Sequence, residues 1–387
     1  MRDRLLRERI SGSGKSVLLL GPRQVGKSTL CRSLGPDFLI DLADEQLFLA
    51  YLRDPGRLKR ELAAVGSKGL VVIDEIQRIP SLLNTVQSIL DDPANSLRFV
   101  LTGSSARKLR RKEVNLLPGR IVLEQMDPLS YSEVADGFEL ERALQVGMLP
   151  GIYLGDDAAV DSLDSYAEVY LREEIRAEAL TRNLGDYSRF LDVAAVLSGQ
   201  WLNYSRISSD IEIPKETVRR FTSLLEDTLL MFRIPPFSPR GKVTRRISQR
   251  DKILLFDVGV RNALLGIHRR PVSADQRGAV FEQWFILQVV YLNRILRRGW
   301  RLSSYRTDGG AEVDLVVERD EDIVAIEIKA GRNVSRSDTR GLASFAEVVG
   351  RYKPVSKWVV IGGGRSQVFD NGVRIYPYQV ALDALSG

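Results

Sequence analysis

The chain has 387 residues, 44% hydrophobic and 27% charged, the balance of a soluble globular protein; at roughly 150 residues per domain it predicts two or three domains. One cysteine (Cys31) and one histidine (His268) exclude a disulfide framework, a Cys/His zinc cluster and a triad with a second histidine in reserve, so any metal is expected on carboxylates and hydroxyls, as magnesium or manganese. Apolar runs such as FILQVVYL fall short of the roughly 20 residues of a membrane span, and the basic MRDRLLRERI leads into no apolar segment, so the expected location is cytoplasmic, off the membrane.

The net charge is +6, unevenly spread: residues 121–178 hold 14 acids against 3 bases, which leaves +17 on the flanks. Basic flanks suit a polyanion such as DNA through counterion release, although plain solvated surface is equally compatible with charge alone.

Over residues 1–130, SVLLL, FLIDLAD, GLVVIDE, RFVLTGS and RIVLEQMDPLS read as five strands separated by helices. Short apolar runs with crossover helices predict a parallel sheet covered on both faces, hence a three-layer α/β domain. Two Gly-Lys-Ser triplets occur early, in SGSGKS and in GPRQVGKS. Only the second has an opening glycine at the right spacing, an apolar strand before it and a helix after it, the context of a phosphate-binding loop. Gly21, Pro22, Arg23, Gln24, Val25, Gly26, Lys27, Ser28 and Thr29 are therefore the expected ATP-binding stretch. Lys15 belongs to the approach to the strand. Lys27 is assigned to the β- and γ-phosphates and Ser28 to Mg2+.

The third strand ends in VVIDE, which puts Asp74 where a second magnesium ligand is needed and Glu75 where a base can orient water. Thr102 or Ser104, in LTGSS, is positioned to sense the γ-phosphate. Arg120, just before the fifth strand, is a candidate arginine finger for its own or a neighbouring subunit's nucleotide, and the second option would make the protein a homo-oligomer such as a ring; a structural ion pair is the alternative. Cys31 reads as core.

Residues 131–185 turn helical and acidic, a helical lid or connector. Residues 186–270 give a short helix, a Pro-containing turn, an amphipathic helix from Lys215 and a hairpin with a basic tip, the order of a winged-helix DNA-binding segment. Lys215, Arg219, Arg220, Arg245 and Arg246 are its expected phosphate contacts. Residues 271–387 open on a long helix and continue as mixed strands, a second α/β domain.

AEVDLVVERDEDIVAIEIK reads as a hairpin around RDED. That loop pairs Glu318 with Ile323, Asp314 with Glu327 and Glu312 with Lys329, so carboxylates and a lysine converge on one face. Asp314, Glu327 and Lys329, with Glu282 from the long helix, form a nuclease-like site that could take a second divalent metal, Mg2+ or Mn2+.

The motifs GPRQVGKST, VVIDEIQRIP, LTGSSARKL, LPGRIVLEQMDPLSYSE, GMLPGIYL, LLFDVGVRNALLG, EVDLVV and AIEIKAG together resemble a large family of prokaryotic ATPases. That family joins an AAA-type P-loop module to a C-terminal domain of unknown function related to PD-(D/E)xK nucleases. The resemblance covers nearly the whole chain. It implies an ATPase carrying Lys27, Ser28, Asp74 and Glu75, a winged-helix segment, and a PD-(D/E)xK nuclease-like domain carrying Asp314, Glu327 and Lys329. YLREEIRAEAL departs from the family's more usual Arg-Asp-Ile, so no role passes to that helix. The function expected is an ATP-hydrolysing protein that remodels or processes DNA. The alternatives are an ATP-dependent switch in signalling or defence with an inert C-terminal domain, and an ATP-regulated, metal-dependent DNA endonuclease.

Overall fold

The computed structural model describes residues 3–104, 119–156, 158–170, 184–238 and 250–387. Arg245, Arg246, most of YLREEIRAEAL and most of the basic segment before Arg120 lie outside the described residues. The four segments drawn on the sequence fall within two compact units. The first holds residues 1–135, 149–151 and 223–230; the second holds 136–148, 152–222 and 231–387.

The first unit is built on five parallel strands: β1 (Ser16–Leu20), β2 (Phe38–Asp41), β3 (Lys68–Asp74), β4 (Ser96–Gly103) and β5 (Ile121–Gln125). Their order is β2-β3-β4-β1-β5. Burial follows position. Every residue of central β1 is buried, whereas the edge strands β2 and β5 are only partly covered. That is the pattern of a sheet with helices on both faces, and it explains why SVLLL is uniformly apolar. Leu18, Val71, Ile73, Phe99 and Leu101 lie in one core cluster on this sheet. The basic N-terminal segment is a helix, Leu5–Gly12, with Leu6 and Ile10 buried.

In the second unit, the helix Tyr204–Asp210 and the helix Lys215–Asp227, of which residues 215–222 belong to this unit, precede an antiparallel pair, β6 (Met231–Ile234) and β7 (Lys252–Leu255). The unit's larger sheet has six strands: β8 (Arg301–Arg306), β9 (Glu312–Glu318), β10 (Ile323–Lys329), β11 (Val355–Ile361), β12 (Gln367–Val368) and β13 (Arg374–Pro377). Their order is β12-β13-β11-β10-β9-β8, with mixed directions. The long helix Ala274–Ile295 buries Val280, Phe281, Trp284 and Phe285 among others. No helix among the described residues is long and apolar enough to cross a membrane.

Two of the motifs singled out in the sequence meet in this unit. Asp257 caps the helix Val258–Leu264 by accepting from Val260 N–H (3.0 Å), and its other oxygen accepts from Met148 N–H (2.7 Å). Asn262 donates to the carbonyls of Leu144 and Gln145 at 2.8 and 2.9 Å. The fit is tight at Gly147: φ is +76°, and an added Cβ would stand 1.9 Å from Asp257 Oδ1. LLFDVGVRNALLG and GMLPGIYL are thus coupled by a buried carboxylate and an amide. Burial pushes the Asp257 carboxyl up to about 6.

Gly147→Ala is expected to destabilise the fold by roughly 2–3 kcal/mol and lower Tm by several degrees, while Gly151→Ala, where a Cβ meets nothing within 4 Å, is near neutral. Equal Tm values for the two variants would contradict this packing. The folded state holds the Asp257 proton more tightly than the unfolded chain, whose pKa is about 3.9. Its stabilising contribution is therefore present below about pH 4 and is lost as pH rises through about 6. Asp257→Asn should make the fall of Tm across that window shallower; a steeper fall would reverse the assignment.

Candidate functional site

Parallel strands deliver their carboxyl ends to one edge, and there the chain can leave the apolar layers and expose polar groups. Register places Leu20 beside Gly103 and Gln125, and Asp41 beside Asp74, so the loops that follow these residues share that edge. The loop after β1 runs from Gly21 to Gly26 into the helix Lys27–Ser33. Gly21 has no alternative, because a Cβ would lie 2.3 Å from Met126 O. Gln24 (φ 63°) and Gly26 (φ 95°) take left-handed conformations that wrap the loop.

Lys27 is 5% exposed, and its ammonium donates to the carbonyls of Gly21 and Pro22, both at 2.7 Å. A polyphosphate in this loop would compete for the same three ammonium protons. Arg23, Ser28, Asp41, Asp74, Glu75 and Arg78 line a cavity of about 370 Å³ beside it. Ser28 and Asp74 thus face one space, as ligands of a shared magnesium must. Lys15 is exposed, and its backbone N–H bonds Ser13. Cys31 is buried, its thiol pushed up to about 12 by burial and then by Asp74.

Two polar chains fix the acids. Thr102 donates its hydroxyl proton to Asp74 and accepts from Glu75 N–H at 3.1 Å. Gln77 donates to the Glu75 carboxylate and to Ser104 Oγ (3.2 Å). Glu75 has φ 57°, a left-handed conformation that is uncommon for a residue with a side chain and fits a constrained position. Of the two hydroxyls expected to read a γ-phosphate, Thr102 is fully buried and holds Asp74, while Ser104 is tied to Gln77. Arg120 pairs with Asp91. Because Ile121 stands beside Ser16, Arg120 lies at the opposite edge of its own sheet from the phosphate loop.

Sequence reasoning missed Gln77 and Arg4. Arg4, in the segment read only as basic, bonds Glu133 (2.8 Å), Val25 O (2.7 Å) and Asp127 O (2.7 Å), so a buried guanidinium braces the phosphate loop from behind. The charge run concealed it, since nothing local separates Arg4 from its solvated neighbours.

In the second unit the hairpin has the expected register from Ile323↔Glu318 to Ile326↔Leu315. Asp314 Oδ2 then accepts from Ile328 N–H at 2.8 Å. Glu327 meets Lys329 at 2.8 Å. A fifth participant was not foreseen: Lys252, 2% exposed, sits 2.7 Å from Glu282 and 4.0 Å from Asp314. Burial alone would lower its pKa, but Glu282 and Asp314 raise it, so the ammonium stays charged. Burial, then Glu282 and Glu327, push the Asp314 carboxyl well above the usual carboxylate range; Glu327 is raised mainly by burial.

The four expected residues therefore converge, but around an ammonium. Nothing in this arrangement supports a second divalent metal: Lys252 meets Glu282 and Asp314, Lys329 meets Glu327, and among the described residues no group of three His, Cys, Asp or Glu is placed to hold a metal ion. Lys215, Arg219 and Arg220 are exposed on their helix. Arg219 pairs with Glu216 (3.0 Å) and lies over Tyr204, 5.4 Å from the ring centre.

Residues 13–135 match the family model described as an AAA domain. Residues 137–270 and 277–380 match two domains of unknown function, DUF8612 and DUF4143. Uncharacterized proteins of Mycobacterium bovis and Mycobacterium tuberculosis are each 29% identical over 329 residues, 83% of this chain and 72% of theirs. One from Methanocaldococcus jannaschii is 23% identical over 397 residues, 89% of this chain and 80% of its own. Among solved structures, a chain from a study of forked-DNA unwinding by Pif1 helicases is 15% identical, with 46% of this chain and 57% of that chain aligned and a TM-score of 0.25. NtrX from Brucella abortus, in complex with ATP, is 14% identical over 57% of this chain and 65% of its own, with a TM-score of 0.25. The N-terminal part of the chain is thus an AAA-type P-loop domain, and that match supports ATP hydrolysis.

Lys27→Ala should abolish ATP binding and Lys15→Ala should leave it within about twofold, measured by calorimetric titration. Comparable losses in both would undo the choice between the two triplets. Thr102→Val should cut kcat about tenfold with little change in KM, because it frees Asp74 and Glu75 without touching the loop.

Proposed function

We propose that this protein hydrolyses ATP and couples turnover to remodelling or processing of DNA. The observation that carries the reading is the common edge on which the Lys27 loop, Ser28, Asp74 and Glu75 meet one cavity. Lys27 binds the β- and γ-phosphates. Ser28 and Asp74 would hold magnesium, which when bound neutralises phosphate charge. Glu75, aimed by Gln77, orients the attacking water and takes its proton, and Ser104 stands on the neighbouring strand where a γ-phosphate can be read.

DNA is favoured by the +17 outside residues 121–178 and by the exposed Lys215, Arg219 and Arg220 on the second helix of a helix, turn, helix and hairpin order. Arg245 and Arg246, which lie outside the described residues, add two basic residues to the sequence between β6 and β7. Arg120 can serve a nucleotide only on a neighbouring subunit, so its catalytic role implies a homo-oligomer, and a ring is the assembly that supplies every site. The C-terminal domain is read as a binding module. Lys252 between Glu282 and Asp314 also favours a second reading, a nucleotide-controlled switch whose inert C-terminal domain docks without cutting.

Glu75→Gln separates the two. It should retain ATP and lower turnover by about 100-fold. A DNA-remodelling protein then stalls, whereas a switch stays active with ATP bound. If duplex, branched and single-stranded DNA neither bind at low salt nor change ATP turnover, the DNA reading is wrong.

A further inference from the structure

A cavity of about 370 Å³ in the second unit has no part in the ATP site. Its lining includes Trp201, Arg206, Arg250, Arg306, Lys252 and Glu282. Backbone pairing frames it: Trp201 forms a β-bridge with Lys252, Leu202 N–H donates to Asp251 O (2.8 Å), and Ile253 N–H donates to Gln200 O (3.1 Å). The Lys252 ammonium lies 5.7 Å from the Trp201 ring centre. Arg250 and Arg306 are exposed and make no ion pair among the described residues; Arg206 has only an exposed contact with Asp210 at 3.5 Å.

Unpaired guanidinium groups around an indole form a phosphate-and-base receptor, since arginine grips phosphate and every base can stack on an aromatic ring. We infer that this cavity holds one nucleotide of a single DNA strand, with its base on Trp201 and its phosphates on Arg250, Arg306 and Arg206. The inference rests on the DNA reading above and gives that reading a site. The volume suits a small ligand rather than a duplex or a folded partner. Continuity supports a strand: Arg206 lies on the helix Tyr204–Asp210, whose Tyr204 ring lies under Arg219, so the phosphate path of the basic helix leads into the cavity. Lys252 holds the neighbouring carboxylates in ion pairs, so the strand is gripped and left uncut.

The test is binding of a fluorescently labelled oligodeoxythymidine to the full chain across a salt series, with Mg2+ or Mn2+ present in a parallel cleavage assay. The Arg250→Ala/Arg306→Ala double variant should bind tenfold or more weakly. Its slope of log affinity against log salt should shrink by about 1.4, roughly 0.7 for each lost phosphate contact. Trp201→Phe should remove most of the intrinsic fluorescence quenching that the oligonucleotide causes in wild type. Wild-type affinity and salt slope in the double variant, with its Tm unchanged, overturn the cavity assignment and leave the DNA reading standing. No binding by wild type overturns the cavity assignment, and the DNA reading falls with it only if duplex and branched DNA also fail to bind at low salt and to change ATP turnover. Cleavage of the oligonucleotide by wild type, lost in Asp314→Ala, overturns the claim that the strand is left uncut.

Discussion

A parallel sheet covered on both faces lets polar chemistry emerge only at its strand ends, and the first unit depends on that constraint. β1 is buried along its whole length between β4 and β5, so the chain that leaves Leu20 must turn in the small space beside Met126. Gly21 is the consequence. Asp74 and Glu75 emerge from β3 at the same edge, and Thr102 from β4 supplies the hydroxyl that ties them together. Lys27, the Ser28 hydroxyl and the Asp74–Glu75 pair are therefore brought to one edge by strand direction.

Much of this was legible because it is local. Strand, loop and helix follow one another between Ser16 and Ser33, so spacing and strand context favour Lys27 over Lys15. The hairpin register around RDED was legible for the same reason: a short loop and a period of two fix which residues face one another. Apart from Gln77, two residues from Glu75, what escaped was long-range. Arg4 reaches Glu133, 129 residues away, and Lys252 reaches Glu282, 30 residues away across two elements. A charged residue looks the same in sequence whether it is solvated or buried against a distant partner, so charge runs conceal braces of this kind.

Lys252 also changes what the carboxylate cluster can be. Buried acids need a counter-charge, from a divalent cation or from basic side chains. Here Lys252 serves Glu282 and Asp314, and Lys329 serves Glu327. The same residue types that predict a metal site from spacing also build an ion-paired core, and only the position of a lysine outside the motif separates them. On the proposed reading, the basic cavity beside this core has a role that needs no metal, gripping a strand while ATP turnover supplies the work.

The account stands or falls on Asp74 as the strand-end acid of a working ATP site. Phosphate release from Mg·ATP should be compared in wild type, Asp74→Asn and Asp41→Asn, the last altering a carboxylate that lines the same cavity from the neighbouring strand. The prediction is repeated turnover in wild type, a fall of about 100-fold or more in Asp74→Asn, and most activity kept in Asp41→Asn. Wild-type turnover in Asp74→Asn, or no phosphate release by wild type, would contradict it.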